Sequence, residues 1–119
     1  MLTTSDQIIV PKGWGFEKWI TNGAQYCGKL LYIIKGKECS WHYHNVKEET
    51  FFVQSGRIRV TYGLDDDRSL AQSVILERGD SFHVPPGLRH QMFALEETEL
   101  FEFSTHHAEL DSIRLIKGN

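Results

Sequence analysis

Apolar and polar residues alternate along this chain in short runs, separated by breaks rich in glycine, proline and serine. The breaks fall at Lys35-Gly36-Lys37, Gln54-Ser55-Gly56, Arg78-Gly79-Asp80 and Pro85-Pro86-Gly87. The stretches between them are rich in β-branched and aromatic residues, which suit a pleated, half-buried surface. The pattern predicts strands at about 29–35, 40–44, 49–54, 57–62, 73–76, 81–84, 90–94 and 99–104. No segment sustains an apolar period near 3.6, so no long helix is expected. Many short strands with regular turns indicate an all-β sandwich or barrel. A period of two then assigns faces: His42 with His44, Glu49 with Phe51 and Val53, and His90 with Met92 and Ala94. If these faces point inward, Phe52 and Phe93 point outward. Apolar residues there offer a surface for a sheet-on-sheet homodimer. The polar run from Gly63 to Ser69 reads as a solvated hairpin connection, its three aspartates included.

Composition narrows the class. With 119 residues the chain has the length of one domain and can bury a core without disulfides. The expected division is an N-terminal arm over about 1–28, a barrel over 29–105 and a tail over 106–119. Net charge is −3 and no basic stripe is present, so nucleic-acid binding has no electrostatic footprint. No apolar run approaches the roughly 20 residues that span a bilayer. The opening residues Met1 to Asp6 lack a charged and then apolar leader. Cys27 and Cys39 are too few for a secreted disulfide scaffold and read as reduced thiols. A cytoplasmic protein is expected.

The candidate chemistry lies in two segments. His42 and His44 sit two apart on one strand face, and Glu49 follows; His90 lies in a second segment rich in glycine and proline. Ionisable groups among apolar neighbours are costly unless a cation organises them. Imidazoles and a carboxylate suit one divalent transition metal, with Mn, Fe, Ni or Zn all compatible. The pattern leaves the face of His83 open. His106 and His107 follow the last expected strand, either at the mouth of the barrel as acid–base groups or as exposed loop residues.

Both segments resemble the two signatures of the cupin superfamily. Gly36, His42, His44, Glu49 and Gly56 fall in register with the first, and Gly79, Pro85, Gly87 and His90 with the second; Ala94 stands where the second signature ends in asparagine. Glu48 competes with Glu49, but only Glu49 stands with six residues between it and Gly56 and shares parity with Phe51 and Val53. The resemblance implies a double-stranded β-helix (jelly-roll) barrel, a metal held by His42, His44, Glu49 and His90, and a homodimer. The Trp14-to-Trp19 segment and the stretch from Glu102 to Arg114 resemble the ends of the cupin domain in type II mannose-6-phosphate isomerases. That resemblance implies a small-molecule substrate, a sugar or sugar phosphate, and aldose–ketose interconversion. It offers Glu102, Glu49 and His106, in that order, as proton-transfer groups. Arg114 would bind a phosphate or carboxylate, or else pair with Asp111. Trp14 and Trp19 would stack on a sugar or pack the N-terminal segment. Cupin dioxygenases and decarboxylases, and non-catalytic sugar-binding cupins, are the alternative readings.

Overall fold

The computed structural model describes Thr4 and residues 6–119. Met1 to Thr3 and Ser5, on which part of the reading of the chain's start rests, lie outside the described residues. Eleven strands form among the described residues: β1 (Ile8–Lys12), β2 (Gly15–Asn22), β3 (Cys27–Ile33), β4 (Trp41–Tyr43), β5 (Glu49–Ser55), β6 (Arg57–Gly63), β7 (Gln72–Glu77), β8 (Ser81–Val84), β9 (Arg89–Ala94), β10 (Thr98–Ser104) and β11 (Ile113–Ile116). They pair antiparallel in two facing sheets, in the orders β1-β2-β3-β10-β5-β8 and β11-β4-β9-β6-β7. This is the expected all-β jelly-roll, although the two sheets do not close into one continuous ring.

The eight expected strands are all present, within one or two residues at each end. Three more lie in the segments expected as arm and tail. β1 and β2 extend the larger sheet at its edge, where Pro11 costs little because an edge strand leaves one row of backbone groups unpaired. β11 adds an edge to the smaller sheet, with Arg114 opposite His42.

The inner faces follow the predicted parity, and each is graded from apolar to polar. In β3, Lys29, Leu31 and Ile33 are buried in alternation; in β5, Glu49, Phe51 and Val53; in β10, Leu100 and Glu102. Ile33, Val53, Leu100, Ile58, Val60 and Ala94 fill one end of the interior as a continuous apolar core. Burying each of the valine, leucine and isoleucine side chains contributes about 1.5–3 kcal/mol.

The outward faces differ between the sheets. Phe52 lies opposite Phe101, which lies opposite Leu30, all on the larger sheet. Phe93 belongs to the smaller sheet, where the Arg59 guanidinium stacks on its ring at 4.7 Å. Phe52 and Phe93 therefore do not share one patch. The loop after β6 covers part of the smaller sheet: the Asp66 carbonyl accepts from the indole of fully buried Trp41, and the Asp66 carboxylate pairs with Arg89. Asp67 caps the short 3-10 turn at Arg68–Leu70.

Gly56, at the β5–β6 turn, sits at φ 92°, and a Cβ there would lie 2.2 Å from the Glu97 carbonyl oxygen. Gly56→Ala is expected to destabilise the fold by roughly 2–4 kcal/mol, combining left-handed strain with a clash against backbone. A urea-unfolding midpoint within error of wild type would contradict this.

Candidate metal centre

Three imidazoles converge at the polar end. His42 lies on β4 and His90 directly opposite on β9, while His44 follows β4. Their ligand atoms all lie within 4.8 Å of one another. A short contact fixes the two segments together: the Gly87 amide donates to the His44 carbonyl at 2.7 Å. Gly87 reaches that position at φ 86°, a conformation that favours glycine.

Each ring is oriented by a backbone carbonyl. His42 Nδ1 lies 2.9 Å from the Ser40 oxygen, His44 Nδ1 3.0 Å from that of Asp111, and His90 Nδ1 2.9 Å from that of Leu88. A carbonyl only accepts, so each Nδ1 carries the proton and each Nε2 presents its lone pair. Burial lowers the pKa of His42 well below its ordinary value, and lowers that of His44, which favours these neutral, ligating forms.

Glu49 supplies the carboxylate. Its Oε2 lies 3.3 Å from His90 Nε2 and 3.7 Å from His44 Nε2. Glu49 Oε2 and His90 Nε2 are sealed from solvent without a hydrogen-bond partner. Two lone-pair atoms facing each other in a buried site call for a cation between them. Burial alone would raise the Glu49 pKa, but without a cation a proton on His90 or His44, together with the Lys47 ammonium, outweighs it and holds the carboxyl ionised, below the usual range; a bound cation takes the place of that proton. The residues therefore fit one divalent transition metal. Glu48 points elsewhere, pairing on the surface with His83 at 2.6 Å. That contact also fixes the face of His83, which parity left open.

Behind Glu49 stands a residue the sequence did not single out. Lys47 is buried, and its ammonium donates to Glu49 Oε1 at 3.0 Å, Glu102 Oε2 at 2.6 Å and His107 Nδ1 at 2.9 Å. Burial would lower the Lys47 pKa; Glu102 and Glu49 outweigh it and hold the ammonium above its ordinary value. An ammonium only donates, so His107 accepts at Nδ1 and is neutral. Burial, with Lys47 and Lys29 nearby, lowers its pKa to about 4. Glu102 shows the opposite effect: burial and the Glu49 charge raise its carboxyl.

The other expected residues differ in where they lie. His106 is exposed, bonded through Nδ1 to the Gly23 carbonyl, and its neighbour His107 lines the cavity in its place. Arg114 faces the cavity but pairs with Glu109 at 2.6 Å, not with Asp111. Asp111 instead holds the turn before Glu49, where its carboxylate accepts from the amides of Asn45, Val46 and Lys47. Trp14 is buried in the core cluster and forms part of the cavity wall. Glu102 lines the cavity as well, a space of about 510 Å³ bounded by both sheets.

Fold and site together define a jelly-roll protein built to hold one divalent transition metal at the end of a solvent-connected cavity. Residues 29–109 match the cupin domain family, and the chain belongs to it. Its fold is similar to that of the Bacillus subtilis oxalate decarboxylase, a protein with Mn(II) centres, at TM-score 0.79 and 20% identity over 96% of this chain and 32% of that one. The capsular polysaccharide assembling protein CapF of Staphylococcus aureus aligns at TM-score 0.81 and 13% identity, over 95% and 32%. This chain thus spans about a third of each. KdgF from Halomonas sp. aligns at TM-score 0.72 and 17% identity, over 88% of this chain and 89% of that one. No curated protein matches the sequence.

Proposed function

We propose that the chain is a metal-dependent aldose–ketose isomerase of the mannose-6-phosphate isomerase-like type, acting on a sugar or sugar phosphate. The observation that carries this reading is Glu102: a second buried carboxylate beside the centre, not needed as a ligand, with its pKa raised. A raised carboxyl pKa near a metal site suits proton transfer near neutral pH. The ion, held by His42, His44, Glu49 and His90, would polarise a carbonyl and the neighbouring hydroxyl oxygen. Glu49 is engaged at both oxygens and stays ionised. Glu102 has Oε2 on Lys47, which leaves Oε1 to take a proton from one carbon and return it to the next. Lys47 fixes the carboxylate's position and holds the two acidic groups together. Trp14 and Arg114 would contact substrate from the wall and the mouth.

The test is isomerisation of mannose 6-phosphate, lyxose and fructose by metal-loaded protein. Glu102→Gln is expected to lower kcat by about 10²-fold or more with metal content unchanged. Oxygen uptake or decarboxylation without isomerisation would sink the isomerase reading in favour of a cupin dioxygenase or decarboxylase. Binding without turnover would point to a sugar-binding cupin.

The same proposal includes a homodimer, through the outer face of the larger sheet. Phe103 there is 56% exposed and stacks beside Phe101, which neighbours Phe52 and Leu30. Light scattering is expected to give twice the 13.8 kDa chain mass, and Phe103→Lys to shift it toward monomer. A monomeric mass for wild type at micromolar concentration would contradict this. A cytoplasmic setting is proposed with it: Cys27 and Cys39 are free thiols, and no helix among the described residues is long and apolar enough to cross a membrane.

A further inference from the structure

One buried cation in the cavity has no part in holding the metal centre together. Lys29 projects inward from β3, opposite Glu102 on β10 and Trp19 on β2, and its side chain is only 2% exposed. Its ammonium lies 4.3 Å over the Trp19 ring. The nearest charge partner recorded among the described residues, Glu17 Oε1, is 3.6 Å away, beyond hydrogen-bonding reach, and already accepts from the Trp19 indole at 2.8 Å. Lys47, by contrast, has three close partners, and Arg114 is paired with Glu109 at the exposed mouth. With three donors, no close acceptor recorded and a place in the cavity lining, this ammonium is free to meet an acceptor that enters the cavity.

Charge in the cavity points the same way. Its lining holds five lysine and arginine side chains against four glutamates. A divalent ion widens that surplus, so the loaded cavity is complementary to an anion.

We propose that Lys29 is the docking point for an anionic group of the substrate, and that the cavity selects acidic small molecules that reach from the metal to Lys29. The chemistry is that of an oxyanion, a carboxylate or a phosphate monoester, received by a desolvated ammonium whose other side is closed by Trp19. This selection of an acidic substrate rests on the reading of the cavity as a substrate site, and it deepens that reading by naming the substrate class. It also sets Lys29 apart from Arg114: the deep cation is open, while the cation at the mouth is already paired.

Calorimetric titration with sorbitol, gluconate and sorbitol 6-phosphate tests it, on metal-free and Mn(II)-loaded protein. Gluconate, sorbitol 6-phosphate or both are expected to bind at least about tenfold tighter than sorbitol, as a charge-assisted bond requires. Comparing the two anions shows whether carboxylate or phosphate is preferred. Lys29→Met is expected to erase the preference while metal content stays at wild-type level. Glu17→Gln, which removes the nearest recorded counter-charge but keeps an acceptor for the Trp19 indole, is expected to tighten anion binding. The two variants act in opposite directions, so a simple loss of folding cannot imitate both. Equal binding of all three compounds, no binding of either anion, or a preference that survives Lys29→Met would overturn the proposal. Failure of wild-type protein to take up metal would sink the metal reading instead, and the metal-free titrations would still decide the role of Lys29.

Discussion

His90→Ala is expected to weaken divalent-metal binding by more than 100-fold, an effect beyond the roughly 10–100-fold typical of residues that only orient a ligand. His90 faces His42 across β4 and β9 and closes on Glu49, so its loss opens the site on two sides. The check is metal content after dialysis, together with the thermal shift on adding metal. At 100 times the dissociation constant, binding stabilises the wild-type fold by about 2.7 kcal/mol. The variant should show almost none of that shift, and Glu48→Gln, whose carboxylate pairs with His83 on the surface, should show all of it. Retention of stoichiometric metal by His90→Ala would refute the assignment. The pH dependence has a definite sign. Burial lowers the pKa of His42 and His44 below 6.5, so protons compete poorly and metal should be retained below the pH at which a free imidazole is half protonated. For the metal-free fold, the unfolded chain binds protons at these histidines first, so stability falls as pH drops below about 6.5.

Lys47→Met should be the most damaging single change to the metal-free fold. The side chain is 2% exposed and its ammonium neutralises Glu49 and Glu102 together. Removing one partner of a buried ionic cluster leaves uncompensated charge and costs about 3–5 kcal/mol. The Glu102 carboxyl, already raised by burial and by Glu49, would rise further. The folded state would then bind a proton that the unfolded state releases, so the deficit of the variant relative to wild type should narrow as pH falls toward the ordinary carboxylate range. Denaturant titration across pH measures this. Glu102→Gln in the Lys47→Met background should recover part of the loss, giving a coupling between the two sites. Strict additivity would show that the cluster does not act as a unit.

Much of this centre is legible in the alternation of side chains. Parity alone separates Glu49, which shares a face with Phe51 and Val53, from Glu48, which turns to solvent beside His83. The strands of the central motifs are legible for the same reason: their inner faces are continuous and their turns carry glycine. β1 and β2 are less so, because they lie at the sheet edge, contain Pro11, and are half-buried without clean alternation. Lys47 shares the parity of Glu49, but a lysine beside two glutamates reads as a solvated charge cluster until the long-range partner Glu102 is in view. His106 and His107 differ only in which way a loop turns, and that is decided by Asn22, whose side chain bonds the His107 backbone from 85 residues away. No local pattern carries such information.

The dependence of His44 on Asp111 places part of the control of the centre in a segment that supplies no ligand. The residue that orients this imidazole and ties down the turn before Glu49 lies 67 positions later in the chain. Asp111 acts on both sides of the centre, through its carbonyl on His44 and through its carboxylate on the Asn45–Lys47 amides. A change confined to the 3-10 turn before β11, remote from every ligand in sequence, is therefore expected to loosen metal binding by releasing both the imidazole and the turn.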